Sequence, residues 1–141
     1  ASVLGDNSII YAVDILKDVL ESIVKRAKMD GLLNIHPVWG DMERRGGVAI
    51  PARSLDVVFL VNALGHAGDR HAVLEEAERL LKEKARCLIV DWVKTGLPFC
   101  PKEDRLVNFS EIARWARSRA YAVQEEFPVG RYHKGMVLFK S

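Results

Sequence analysis

Leu55-Asp56-Val57-Val58-Phe59-Leu60-Val61 is the strongest strand signal in the chain, and the residues downstream of it decide the fold. After it come a loop carrying Gly65 and Gly68, then a helical stretch with Val73, Leu74, Ala77, Leu80 and Leu81 on one face. A second apolar run, Cys87-Leu88-Ile89-Val90-Asp91-Trp92-Val93, closes the segment. A run that is apolar on both alternating faces suits a strand covered on both sides. Two such strands joined by an amphipathic helix form a parallel strand–helix–strand unit.

The same grammar holds upstream. Ile9-Ile10-Tyr11-Ala12-Val13 is a short, largely β-branched run ending in Asp14, and Leu16, Val19, Leu20, Ile23, Val24 and Ala27 then follow helical spacing. Gly31 lies just beyond as a C-terminal cap, so a helix over roughly 15–29 is expected. Asn34-Ile35-His36-Pro37-Val38-Trp39 reads as a further strand, and its proline suits an edge position where no ladder donor is needed. The stretch 41–53 has no clear period. Downstream, Lys94 to Asn108 is an irregular loop of the length that often carries function. Ser110 is placed to cap a short helix through Arg119, with Ile112, Trp115 and Ala116 facing inward. The chain ends in two strand-like stretches, Tyr121 to Val129 and Gly135 to Lys140, joined by Gly130-Arg131-Tyr132-His133-Lys134. That link is too short for a crossover helix, so the two strands should pair antiparallel. The expected fold is α/β, a mostly parallel sheet with a C-terminal antiparallel hairpin, and residues 1–141 are expected to form a single domain.

Composition narrows the classes further. The 141 residues are 49% hydrophobic and 28% charged, which excludes disorder, collagen-like repeats and a disulfide scaffold. Twenty-one Lys and Arg against 19 Asp and Glu leave a net charge of +2, too small and too evenly spread to mark a nucleic-acid or anionic membrane surface. There is no apolar run long enough to span a bilayer, and Ala1-Ser2-Val3-Leu4-Gly5-Asp6 does not read as a leader. Cys87 and Cys100 have no partner at zinc-ligand spacing, so free thiols, no metal and a cytoplasmic location are expected. Walker-type loops, nucleophile elbows, His-Glu-x-x-His and Cys-x-x-Cys motifs do not occur, which leaves hydrolytic nucleophile chemistry without support.

In an open parallel sheet, ligands sit beyond the carboxyl ends of the strands, so the residues ending each run are the candidates. Asp14 could accept two hydrogen bonds from a ribose diol, or could simply cap the helix that follows it. Gly40-Asp41-Met42 could let the backbone approach a planar ligand while the carboxylate accepts an exocyclic amine, or could be a turn. Asn62-Ala63-Leu64-Gly65-His66 follows the Leu55–Val61 run, and His66 is a candidate base or a solvated loop histidine. Glu75, Glu76, Glu78, Arg79, Lys82, Glu83 and Lys84 read as a solvated helical face.

Five strings taken in order, "IIYAVD" at 9–14, "GDME" at 40–43, "IPARSLDVVFLVNALGH" at 50–66, "VLEEAERLLKEKARCLIVDW" at 73–92 and "FPVGRYHKGMVLFK" at 127–140, span nearly the whole chain. Together they resemble a class I S-adenosylmethionine-dependent methyltransferase of the small-molecule type related to ubiquinone and menaquinone C-methyltransferases. The resemblance implies a Rossmann-like sheet of strand order 3-2-1-4-5-7-6 with an antiparallel seventh strand. It also implies S-adenosylmethionine as cofactor, Asp14 on its ribose with Ile15 beside the adenine, and Gly40, Asp41 and Met42 flanking the adenine. Asn62, Ala63 and Leu64 would line its methionine portion. The acceptor, a small molecule, would be framed by Pro98, Phe99, Tyr132 and His133, with His66 and His133 as candidate bases. Two departures stand out. "LKEKARCLIV" at 81–90 replaces the family's usual Pro-Gly-Gly turn, and the chain begins after the family's first strand and glycine-rich loop, with residues 1–6 resembling the end of the first helix. A truncated sheet with exposed edges is therefore expected, and with it self-association into a homo-oligomer. The alternative of another class is a degenerate module without cofactor binding. A nicotinamide-dependent oxidoreductase is a third reading, against which the terminal hairpin counts.

Overall fold

The computed structural model describes Leu4, Gly5 and residues 7–140. The reading of residues 1–6 as the end of a helix therefore falls largely outside the described residues. The chain divides into two compact units, Ala1–Ala49 and Ile50–Ser141.

In the first unit β1 (Ile10–Asp14) is followed by α1 (Lys17–Met29) and β2 (Ile35–Trp39). The two strands pair parallel, in register from Ile10↔Ile35 to Asp14↔Trp39. Leu20 and Ala27 are buried on α1. Pro37 sits on β2 opposite Ala12, at a sheet edge as its missing donor requires. The helix ends where Asp30 and Gly31 turn their N–H groups back to the carbonyls of Arg26 and Lys28, with Gly31 at φ 68.

The second unit holds β3 (Leu55–Val61), α2 (Arg70–Leu80), β4 (Leu81–Trp92), a single 3-10 turn at Glu103–Arg105, α3 (Phe109–Ser118), β5 (Tyr121–Val129) and β6 (His133–Lys140). Its sheet has the order β3-β4-β6-β5. β3 and β4 are parallel, and β6 is antiparallel to both β4 and β5. With the first strand left out, the order implied by the resemblance becomes β2-β1 and β3-β4-β6-β5 in these labels, which are the two sheets observed. The terminal hairpin is antiparallel as its short link demands, and Gly130 supplies the left-handed turn residue at φ 62. Gly135 lies opposite Phe127, whose ring fills the space where a Cβ would come within 2.4 Å. Among the described residues no helix is long and apolar enough to cross a membrane.

Three local expectations are corrected. First, α2 stops at Leu80 and β4 begins at Leu81, six residues before Cys87. The carbonyls of Arg79 and Leu80 accept from the N–H groups of Arg53 and Ser54 at 2.9 and 3.0 Å, so residues entering β3 satisfy the helix end and Leu81 is free to pair with Leu55. Second, Glu76 is fully buried and not part of a solvated face. It lies three residues after Val73 and four before Leu80, on the packed side of the helix, where Arg79 donates to it from Nε at 3.0 Å and in turn reaches the carbonyl of Ile50. Third, the cap of α3 is Asn108, whose Oδ1 accepts from the N–H groups of Ser110 and Glu111. Ser110 is inside the helix.

Lys84 takes a left-handed backbone, φ 58, at an exposed position early in β4, where the register against β3 shifts between Leu55↔Leu81 and Val57↔Arg86. This is a conformation that glycine adopts at no steric cost, and a side chain there strains against its own carbonyl. Lys84→Gly is expected to raise stability by about 1 kcal/mol in urea unfolding, whereas Lys84→Ala gains nothing because the Cβ remains. A glycine variant no more stable than the parent would contradict the strain.

Candidate functional site

The carboxyl ends of the strands carry the candidate residues, in two groups, one in each unit. In the first unit β1 ends at Asp14, whose carbonyl accepts from the Gly40 N–H at 3.1 Å, so the chain leaving β2 is held beside it. Asp14 Oδ1 accepts from the Leu16 N–H at 2.8 Å, a turn that launches α1. Trp39 Nε1–H donates to the Ile15 carbonyl at 2.8 Å and fixes the same corner. Asp41 repeats the device: its Oδ1 accepts from the Glu43 N–H at 2.9 Å, and its own N–H donates to the Gly47 carbonyl. A Cβ at Gly40 would lie 3.0 Å from that same carbonyl, which accounts for glycine at this position. Each carboxylate thus spends one oxygen on the backbone. Among the described residues neither Asp14 Oδ2 nor Asp41 Oδ2 has a hydrogen-bond partner, and both side chains are only half-buried, beside exposed Ile15 and half-buried Met42. What remains is a pair of open acceptors next to apolar surface.

In the second unit Asn62 leaves β3 with a left-handed backbone, φ 55, while its N–H still donates to the Val90 carbonyl at 2.8 Å. Its Oδ1 lies 3.1 Å from His133 Nε2. His133 is paired across the sheet with Trp92, and the two rings are 4.0 Å apart between centroids. Trp92 also meets Tyr132 at 6.3 Å and Phe99 at 6.4 Å. Phe99 is 73% exposed. The loop that carries it is closed at its neck by the Val107 N–H donating to the Trp92 carbonyl at 3.0 Å. Two arginines stitch that loop to the turn after β3. Arg70 donates to the carbonyls of Leu64, Arg105 and Leu106, and Arg105 Nη1 donates to the Ala67 carbonyl.

Beneath this cluster Asp91 is fully buried. Its Oδ2 accepts from the Gly65 N–H at 3.0 Å and its Oδ1 from the Trp92 N–H at 2.8 Å. A Cβ at Gly65 would stand 2.8 Å from Oδ1, so the approach requires glycine.

The structure therefore brings together Asn62, Phe99, Tyr132 and His133, and separately Asp14, Ile15, Gly40, Asp41 and Met42. It leaves others apart. The Leu64 side chain is fully buried, so only its backbone is available. Pro98 is exposed and precedes Phe99 in the chain, and His66 is exposed with no hydrogen bond among the described residues. Cys87 offers no nucleophile, since burial pushes its thiol up to about 12. Sequence reasoning missed Asp91, Trp92, Arg70 and Arg105. The first two end a buried run as Asp14 does, a signal obscured by extending that strand to Val93.

With this geometry in place, comparison with known proteins identifies the family. The model of the methyltransferase domain family matches residues 2–89, and the chain belongs to that family. A search of curated proteins gave no match. Among solved structures the chain is similar to an S-adenosylmethionine-dependent methyltransferase from Aquifex aeolicus, with a TM-score of 0.85 at 19% identity over 99% of this chain and 73% of that one. A type 11 methyltransferase from Sulfolobus solfataricus gives 0.73 at 23%, covering 94% and 72%. The trans-methyltransferase CalH in complex with S-adenosylhomocysteine gives 0.76 at 16%, covering 94% and 43%. At such identities the structural likeness speaks for the fold, and the family match for methyl transfer as its chemistry.

The Asp91 contacts are open to test. Asp91→Asn keeps the volume but turns an N–H₂ group toward one of two backbone donors, and is expected to cost about 2 kcal/mol in urea unfolding. A loss below about 0.5 kcal/mol, the range of an unimportant surface substitution, would mean that the buried carboxylate does not hold the turn.

Proposed function

We propose that this chain binds S-adenosylmethionine and transfers its methyl group to a small-molecule acceptor. The observation that carries the reading is the open oxygen of Asp14 at the carboxyl end of β1, with Gly40 and Asp41 held beside it by the Gly40 N–H. The donor set fits the cofactor. Asp14 Oδ2 is free to accept from a ribose hydroxyl, and Asp41 Oδ2 from an exocyclic amine. Ile15 and Met42 offer apolar contact to a flat base, and Gly40 keeps side-chain atoms out of its way. When bound, the cofactor supplies a methyl group on a sulfonium, already activated for displacement. What the protein must then add is position, since holding donor and nucleophile in line removes most of the entropic part of the barrier.

The near-balanced charge supports a small molecule over a nucleic acid as partner, and the unpaired thiols of Cys87 and Cys100 support a cytoplasmic setting. Val57, Phe59 and Val61 are exposed on one side of β3, while the intervening Val58 and Leu60 are buried. An apolar row of this kind supports self-association. Sedimentation at micromolar concentration should then give a mass above 15.8 kDa that falls toward it in Phe59→Lys; a monomer at all concentrations would count against it.

Calorimetric titration tests the main reading. S-adenosylmethionine and S-adenosylhomocysteine should each bind at one site, with Asp14→Ala weakening both at least tenfold and Asp14→Asn less so. No heat at high micromolar ligand would overturn the assignment and favour a module that does not bind the cofactor.

A further inference from the structure

The first unit carries a groove of about 610 Å³ between one flank of α1 and β2. Asp14, Ile15, Gly40, Asp41 and Met42 do not line it, so it is separate from the residues assigned to the cofactor. We propose that this groove receives an amphipathic helix of a partner protein, apolar along one stripe and acidic toward both ends.

The floor of the groove is apolar and open. Leu20 is buried and Val24 half-buried at its base, while Pro37 and Trp39 line it from β2, with Trp39 56% exposed. The indole N–H of Trp39 already donates to the Ile15 carbonyl at 2.8 Å, so the ring is fixed in place and has no polar atom left to satisfy. A fixed aromatic plate beside aliphatic side chains is a natural anchor for a partner's apolar groups. Strand addition is blocked at this edge. The Ile10 N–H donates to the Asn34 carbonyl and the Gly40 N–H to the Asp14 carbonyl, so alternate residues from Asn34 to Gly40 turn their backbone groups to β1. Pro37, at the centre of the outward-facing set, has no N–H to offer. Contact with a partner must therefore run through side chains.

The rim selects the charge of that partner. Lys17, Glu21, Lys25 and Lys28 border the groove, all exposed and spaced to share one side of α1. Among the described residues Arg26 of α1 is paired with Asp30, whereas none of the three lysines has a carboxylate partner. With Glu21 between them, the lysines make the groove cationic at both ends. Lys17 and Lys28 stand about 16 Å apart along the helix axis, the length of about three helical turns. A helix with apolar side chains at i, i+4 and i+7 presents a ridge that fills a concave floor of this length, and carboxylates near its two ends meet the lysines. A flat lipid surface does not reach into a concave floor, and a long-chain carboxylate carries charge at one end only.

Synthetic peptides titrated into the full chain test this. The probe carries leucine at i, i+4, i+7 and i+11, glutamate at both ends and alanine elsewhere, and its control has lysine in place of glutamate. At low salt the acidic peptide should bind at least about tenfold more tightly than the control, with the largest amide and indole shifts at Leu20, Val24 and Trp39. Serine in place of the probe's leucines should abolish binding. Lys17→Glu, Lys25→Glu and Lys28→Glu combined should invert the preference between the two peptides; if that variant does not fold, the corresponding glutamine substitutions should reduce the preference below about twofold. Equal affinity for the two peptides, a preference that survives the substitutions, or shifts confined to residues outside the groove would overturn the assignment. So would occupation of the groove by dodecanoate or by phosphatidylglycerol vesicles when the acidic peptide does not bind. S-adenosylmethionine takes no part in these titrations, so their outcome is distinct from that of the cofactor calorimetry.

Discussion

A buried carboxylate without partners is among the most expensive groups a fold can contain, and Asp91 is tolerated because two backbone N–H groups meet it. The constraint works in both directions. Gly65 must lack a side chain, the turn after β3 must approach the end of β4, and Trp92 must leave the strand with its N–H turned inward. That fixed point sets the position of Asn62 at the end of β3, the ring of Trp92 under His133, and the anchorage of the aromatic loop through Val107. Arg70 and Arg105 extend the same logic: Arg70 joins the Leu64 carbonyl to those of Arg105 and Leu106, and Arg105 reaches back to the Ala67 carbonyl.

Much of the fold was legible because apolar runs and helical spacing are strong signals. The apolar run Leu55–Val61 coincides with β3, the parallel pairing of β1 with β2 follows from the helix between them, and the antiparallel hairpin follows from a link too short to cross over. Where the reading failed, a tertiary contact outweighed a local one. Glu76 looked solvated because its type is usually exposed, yet its partner Arg79 and the packed side of α2 keep it inside. Leu81 continued the helical stripe, but Arg53 and Ser54 had already claimed the last helical carbonyls. Ser110 looked like a cap, and Asn108, two residues earlier, makes the bonds instead.

The candidate residues divide along similar lines. Asp14 and Asp41 were open to a ligand reading and to a turn reading, and their geometry accommodates both. One oxygen of each serves a turn, and the other is left without a protein partner. His66 and His133 were indistinguishable as sequence, since each follows a strand-like run. Only the sheet register, which sets Trp92 opposite His133, gives one of them a structured environment. Long-range pairing of this kind is invisible to local pattern, and the central place of Trp92 in the cluster depends on it.

The family match makes methyl transfer the chemistry of the family to which this chain belongs, the structural likeness gives the fold, and the proposed cofactor site rests on the open acceptor of Asp14. The most direct measurement is a crystal structure grown with S-adenosylhomocysteine. The account predicts ribose hydroxyls within hydrogen-bond distance of Asp14 Oδ2 and the adenine amine on Asp41. A ligand bound elsewhere, or absent from crystals soaked at millimolar concentration, would contradict it.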